Sequence, residues 1–276
     1  MRGRRMKIID TTSGVDLSEL GSIESYWNDE LIKALYFGPK EVSADTRDAA
    51  LASPAFAQSL AKLRELSASC SLASQCSKLV AGFERDTGHS LAHGTLYLVL
   101  GCATTTIYTV TVDDSDVSVL CLESLGGSTQ ALALYLTHEF THFVRKDLLN
   151  RDIFESCIGE RLVTEGIAES YSADVVPDQT IATYCIVDEE TVSWVEAHYN
   201  ELEAYVRTGL DTSKLMEPLF YMFARIDFPV RTGYVFGYLV VRRYLQDQGL
   251  QTKDILGVDW RRVFCAHNEE KGQTCI

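Results

Sequence analysis

The chain has 276 residues, with 39 acidic and 25 basic side chains and a formal net charge of −14. This acidity argues against a nucleic-acid partner, because phosphate binding requires clustered Lys and Arg. No stretch reaches the roughly 18 consecutive apolar residues that a membrane span needs. Acidic residues also follow the basic start, where a signal peptide needs an apolar stretch, so we expect a cytoplasmic protein.

The first third of the chain is predicted to be helical. The predicted helices are residues 17–36, residues 49–66 and a segment that ends near Phe83. Pro39 and Pro54 lie near predicted helix starts, where proline is tolerated because the first N–H groups of a helix have no internal partner. We therefore predict a helical N-terminal region, residues 1–90, ahead of a catalytic domain, residues 91–276.

The composition changes to that of β-strands between residues 95 and 123. The predicted strands are residues 95–100, 104–112 and 117–122. The last of them leads directly into the next helix, and an edge strand there could pair with an extended peptide. Strands that precede helices indicate an α+β fold.

Residues 138–142 read His-Glu-Phe-Thr-His, an H-E-x-x-H motif within an apolar run of helical spacing that begins near Ser128. Two histidines four residues apart lie on one face of a helix, so His138 and His142 can bind one metal ion. Glu139 lies about 100° around the helix, where it can reach a water at that metal without being a ligand. Zinc peptidases use this combination. The alternative is a buried helix whose histidines hydrogen-bond to nearby carbonyl groups.

A catalytic zinc ion normally has three protein ligands. Residues 164–171 contain Glu165 and Glu169, which share a face if this segment is helical. We predict that Glu165 is the third ligand and that Glu169 accepts the free ring N–H of a ligand histidine. Gly166 would let the two metal-binding helices approach closely. The alternative is a pair of surface glutamates on an amphipathic helix.

The rest of the chain is predicted to be helical at residues 189–207, 215–224 and 233–246. The eight cysteines contain no C-x-x-C pair, so we expect free thiols, many of them buried, and no disulfide framework.

The H-E-x-x-H motif followed by E-G-x-A-E at residues 165–169 resembles the gluzincin group of zinc metallopeptidases. The pattern is most similar to a bacterial domain-of-unknown-function family of predicted zinc-dependent proteases, which also has an arginine shortly after the second histidine and a later G-Y-x-x-G-Y segment. This chain has Arg145 and residues 233–238 at these places, and the resemblance covers roughly residues 92–247. It implies a zincin-like fold in which a small antiparallel or mixed sheet packs on the H-E-x-x-H helix.

These patterns together predict zinc-dependent hydrolysis of a peptide or protein substrate, with one Zn²⁺ per chain. Glu139 is the expected general base. Tyr234, where the resemblance places a tyrosine, is the expected oxyanion donor, and Tyr238 and His198 are alternatives. Arg145 could anchor a substrate carboxylate, but a structural ion pair with Glu169 or a carboxylate near Asp147 is favoured.

Two other functions stay open at this point. One is a non-catalytic, metal-stabilised binding or regulatory protein on a zincin scaffold, and the intact Glu139 argues against it. The other is a hydrolase of a non-peptide amide, which would use the same residues. The absence of a G-x-M-E-N segment argues against an aminopeptidase. The substrate sequence and the oligomeric state are left open.

Overall fold

The computed structural model describes residues 6–112, 115–150, 157–213, 216–220 and 228–269. Contacts within the chain divide it into two compact units, Met1–Glu139 and Phe140–Ile276. The separate proposal of a helical region at residues 1–90 and a catalytic domain at residues 91–276 stays a prediction.

The helices of the first unit occupy most of its N-terminal half and the end of the unit. They are α1 (Leu20–Trp27), α2 (Glu30–Ile32), a π-helical turn (Lys33–Phe37), α3 (Ala44–Leu51), α4 (Pro54–Ser69), α5 (Leu72–Thr87), a 3₁₀ turn (Leu122–Leu125) and α6 (Thr129–Leu149), which continues into the second unit. Two predicted helices are interrupted because polar side chains cap new helix starts. Asp29 accepts the N–H of Leu31, and Ser53 accepts the N–H of Phe56 directly ahead of Pro54 at the first position of α4.

In the described residues, four strands form one mixed sheet: β1 (Lys7–Asp10), β2 (Thr95–Val99), β3 (Ile107–Val112) and β4 (Ser115–Cys121). The order is β1-β2-β4-β3, in which β4 pairs parallel with β2 and antiparallel with β3. β4 is therefore an internal strand, and the hypothesis of an edge strand at residues 117–122 is wrong. The edge on this side of the sheet is β3, because among the described strands it pairs with β4 alone.

The segment that leads into β3 is held by a buried carboxylate. Glu123 is 3% exposed and accepts the N–H groups of Gly101 and Ala103, both at 3.0 Å. Burial raises the pKa of this carboxyl group, while its bonds to backbone N–H groups oppose the rise. In β3 itself, the Tyr108 hydroxyl donates to the carbonyl of Leu35 at 2.7 Å. These contacts fix where the edge strand begins.

Helix α6 begins where the sequence predicted. Gly126 and Gly127 both have positive φ, which only glycine adopts readily, and the Ser128 side chain then accepts the N–H of Gln130 at 3.1 Å. The apolar positions Leu132, Leu136, Phe140 and Val144 are all buried. Spacing of four residues places these side chains on one face, and this burial fixes the rotation of the helix about its axis.

The described part of the second unit is helical apart from its connecting turns. After α6 come α7 (Ile158–Val175), α8 (Ile181–Cys185), α9 (Glu189–Ala197), α10 (Tyr199–Arg207), α11 (Met216–Phe220), α12 (Thr232–Gln248), a 3₁₀ turn (Thr252–Ile255) and α13 (Trp260–Glu269). The helix predicted at residues 189–207 is divided at His198, and of the helix predicted at residues 215–224, residue 215 and residues 221–224 lie outside the described residues. No helix within the described ranges has the length and apolar character needed to cross a membrane.

Helices α7 and α12 cross with their backbones in contact. A Cβ atom added at Gly166 would lie 2.2 Å from the carbonyl oxygen of Gly237, and one added at Gly237 would lie 2.4 Å from the carbonyl oxygen of Leu162. Gly166 therefore serves a close helix approach, as predicted, but the partner is α12 and not the H-E-x-x-H helix. Gly237, in the G-Y-x-x-G-Y segment, also lacks a side chain at this crossing, so the two backbones can approach from both sides.

Most of the described cysteines are free thiols, as expected. They are Cys70, Cys76, Cys102, Cys121, Cys157 and Cys185. Burial raises the pKa of the Cys76 thiol to about 12, which makes it unreactive at neutral pH. Cys265 is disulfide-bonded, so the prediction of a free thiol is wrong at that position.

Candidate metal centre

Helices α6 and α7 bring together three side chains that could hold a metal ion. One ring nitrogen each from His138 and His142 and one carboxylate oxygen from Glu165 all lie within 4.8 Å of one another. His138 and His142 are one turn apart on α6, and Glu165 is near the middle of α7. His142 is 4% exposed and Glu165 1%, so the alternative of a surface glutamate is wrong for Glu165.

The donor atoms suit a zinc ion in type and spacing. Two imidazole nitrogens and one carboxylate oxygen form a donor set found in catalytic zinc sites. The Nε2 atom of His142 lies 3.4 Å from Oε2 of Glu165. Zinc–ligand bonds of 2.0–2.1 Å at tetrahedral angles place two donors about 3.3 Å apart. These two atoms are therefore already at a spacing that zinc can bridge.

Glu139 follows the first histidine on α6 and is 6% exposed. Its Oε2 atom accepts a hydrogen bond from Thr109 Oγ1, on the edge strand β3, at 3.2 Å. A carboxylate next to a candidate ligand histidine and oriented by a hydrogen bond is suitably placed for proton transfer. Sequence reasoning missed Thr109, because a single threonine in a strand carries no pattern that separates it from its neighbours.

Arg161 lies one helical turn before Glu165 on α7, and its NH2 atom is 2.8 Å from Oε1 of Glu165. The guanidinium group also lies over the ring of Phe220, with its Cζ atom 5.5 Å from the ring centroid. The spacing of four residues between an arginine and a glutamate was visible in the sequence and could have indicated this pair. Sequence reasoning passed over it.

Tyr234, near the start of α12, lies in the same surroundings as Glu165. Burial raises the pKa of its phenol and the Glu165 carboxylate raises it further, while Arg231 and Arg161 act in the opposite direction. The Arg231 guanidinium lies over the phenol ring, with its Cζ atom 3.9 Å from the ring centroid. The phenol is therefore protonated at neutral pH and can donate a hydrogen bond.

The family model described as "Predicted Zn-dependent protease (DUF2268)" matches residues 105–264. The match covers more than half of the 276 residues. The chain belongs to this family. The matched range contains the edge strand β3, both motif helices and Tyr234. Comparison with curated proteins and with solved structures gives no match.

The resemblance predicted from E-G-x-A-E and H-E-x-x-H is thus confirmed as membership of the DUF2268 family. Within the family pattern, Glu169 lies one turn after Glu165 on α7 and is 2% exposed. The Cys185 thiol is close to both carboxylates: burial is the main cause of its raised pKa, and Glu169 and Glu165 add to the effect. The hydrogen bond from a ligand histidine to Glu169 stays a prediction.

Arg145, the family's arginine after the second histidine, is fully buried. Its guanidinium group donates to Thr164 Oγ1, to the carbonyls of Leu256 and Val258, and to Glu160 Oε1 at 2.5 Å. These contacts support the structural role that the sequence favoured, and they include an ion pair with Glu160, which the sequence had not indicated. The arginine joins α6 to α7 and to the segment before α13.

Proposed function

We propose that the chain is a zinc-dependent peptidase in which His138, His142 and Glu165 hold one Zn²⁺. The observation that carries the proposal is the convergence of the three donor atoms within 4.8 Å in a chain of the DUF2268 family. Zincin-like packing of the sheet on the H-E-x-x-H helix is part of the same proposal.

A zinc ion held by this set acts as a Lewis acid and makes water acidic enough to lose a proton near neutral pH. Glu139 takes that proton as general base and later delivers it to the amine that leaves the cleaved peptide. Its hydrogen bond from Thr109 Oγ1 occupies Oε2, which leaves Oε1 for the proton. Tyr234 donates a hydrogen bond to the oxygen that becomes negatively charged.

The substrate is proposed to be an extended peptide that adds to the outer edge of β3, the last strand of the sheet in the described residues. Backbone N–H and C=O groups at a sheet edge bind an extended chain without regard to its sequence. Thr109 of this strand contacts Glu139, so a peptide paired along β3 would pass close to the general base. The position of β3 at the end of the sheet supports this mode of binding.

The first experiment measures metal in protein purified without added metal, by mass spectrometry, beside the variants Glu165→Ala and Glu196→Ala. Glu196 is an exposed glutamate on α9 and serves as the matched control. We expect about one zinc ion per chain in the wild type and in the control, and almost none in Glu165→Ala. Absence of zinc from the wild type, even after reconstitution, would contradict the proposal.

Hydrolysis of a peptide library then separates a peptidase from a hydrolase of other amides.

Tyr234→Phe tests the oxyanion donor. Removing a single donor of this kind lowers kcat by about 10²–10³-fold, and the ring contacts with Phe220 and Arg231 are retained. Tyr238→Phe is the matched control, because the ring of Tyr238 stacks on Tyr184 with the centroids 6.0 Å apart. We expect kcat to fall only in Tyr234→Phe. A fall only in Tyr238→Phe would show that the donor is misassigned.

A further inference from the structure

The two oxygens of the Glu165 carboxylate have different neighbours. Oε1 lies 2.8 Å from NH2 of Arg161, and Oε2 lies 3.4 Å from Nε2 of His142. The carboxylate is buried, so its oxygens are shielded from water. A charge-assisted hydrogen bond in such surroundings restricts rotation of the carboxylate more than the same bond would at the surface.

Arg161 is itself held in place by more than the ion pair. It shares α7 with Glu165 and packs over the ring of Phe220, with its Cζ atom 5.5 Å from the ring centroid. Its side chain is 18% exposed, so its charge is only partly screened by solvent. An arginine held by an ion pair and by an aromatic ring keeps its guanidinium plane fixed, which a lysine in the same position does less well.

We infer that Arg161 is a positioning residue that holds Oε1 of Glu165 and leaves Oε2 as the one oxygen offered to the metal. The inference rests on the proposed zinc site. Three single donor atoms from the protein leave room for water, which is the composition of catalytic zinc sites. With Oε1 released, the carboxylate could turn, and the donor set would lose its fixed arrangement.

The test compares zinc affinity, by competition with a chromophoric chelator, in wild type, Arg161→Met, Arg161→Lys and Arg242→Met. Methionine keeps the apolar stem that packs on Phe220 and removes every hydrogen-bond donor. Arg242 is an arginine paired with Asp174 at a more exposed position of α12 and is the control. Loss of a residue that orients a ligand typically weakens metal binding by 10–100-fold, which we expect for Arg161→Met. Arg161→Lys restores part of the affinity, and Arg242→Met matches the wild type.

Whether zinc affinity falls or rises in Arg161→Met distinguishes a residue that positions Glu165 from one that only adds a positive charge near the metal. A cation that only repelled the metal would give tighter binding when removed, so equal or tighter binding in Arg161→Met would overturn the inference. Equal weakening in Arg242→Met would also overturn it. If Arg161→Met does not fold, Arg161→Gln takes its place with the same expected direction. Failure of the wild type to bind zinc would instead refute the proposed function, whereas normal zinc binding in every variant would refute only the role of Arg161.

The absorption spectrum of the cobalt-substituted protein gives a second readout that does not depend on activity. The visible bands of Co²⁺ respond to the number and arrangement of its ligands. We expect the bands of Arg161→Met to differ from those of the wild type, because Glu165 can then offer either oxygen. Identical spectra in the two proteins would overturn the inference.

Discussion

Glu139→Gln is expected to lower kcat by about 10²–10⁴-fold while one zinc ion stays bound. Glutamine has the size of glutamate, and its amide oxygen can still accept the hydrogen bond that Thr109 Oγ1 donates to Oε2 of Glu139, so the local structure should be retained. The amide cannot take up a proton from water, which removes the general base. Steady-state hydrolysis of a peptide substrate, together with the zinc content of each preparation, measures both halves of the prediction.

The control for this substitution is Glu196→Gln, at the exposed glutamate on α9. It makes the same chemical change away from the candidate site and should leave both kcat and zinc content unaltered. Undiminished hydrolysis in Glu139→Gln would exclude Glu139 as the base. Loss of zinc together with activity would show that Glu139 supports the metal site and would leave its role as base without support.

Gly166→Ala is expected to lower the free energy of unfolding by about 3 kcal/mol or more. The added methyl group would lie 2.2 Å from the carbonyl oxygen and 2.5 Å from the carbonyl carbon of Gly237. Both atoms belong to the backbone of α12, so no side chain can move aside and the two helices must separate. Urea denaturation followed by circular dichroism measures the change.

Gly82→Ala in α5 is the matched control for this effect. A Cβ atom there would meet nothing closer than a side-chain nitrogen of Arg85 at 4.0 Å. Alanine in an open helical position stabilises by up to about 1 kcal/mol, because it restricts the unfolded chain. The two Gly-to-Ala changes should therefore have opposite signs. A Gly166→Ala protein as stable as the wild type would show that the backbones of α7 and α12 are not in contact.

Much of the candidate site was predictable because its residues follow local helical spacing. The H-E-x-x-H motif and the Glu165–Glu169 pair each need only one helix to place two side chains on one face. Start signals such as Gly126-Gly127 and Ser128 are also local, and they located the beginning of α6. The membership of the DUF2268 family followed from the same short segments.

The wrong or missing predictions concern the sheet, because its strands pair with segments that are far apart in the sequence. β1 was missed because four residues near the start of the chain form a strand only by pairing with β2, about ninety residues later. The edge of the sheet was assigned to β4 rather than β3, since strand order depends on pairing and not on the composition of either strand.

The sequence by itself determined which residues share a helix face, and from this it predicted the donor types, a candidate general base and the metal that the donors suit. Only the tertiary structure decided that Thr109 meets Glu139, that Gly166 faces Gly237, and that Arg161 packs over the ring of Phe220. The physical reason is that helical periodicity is set by bonds between residues four apart, whereas these contacts depend on side-chain rotamers and on how separate elements pack.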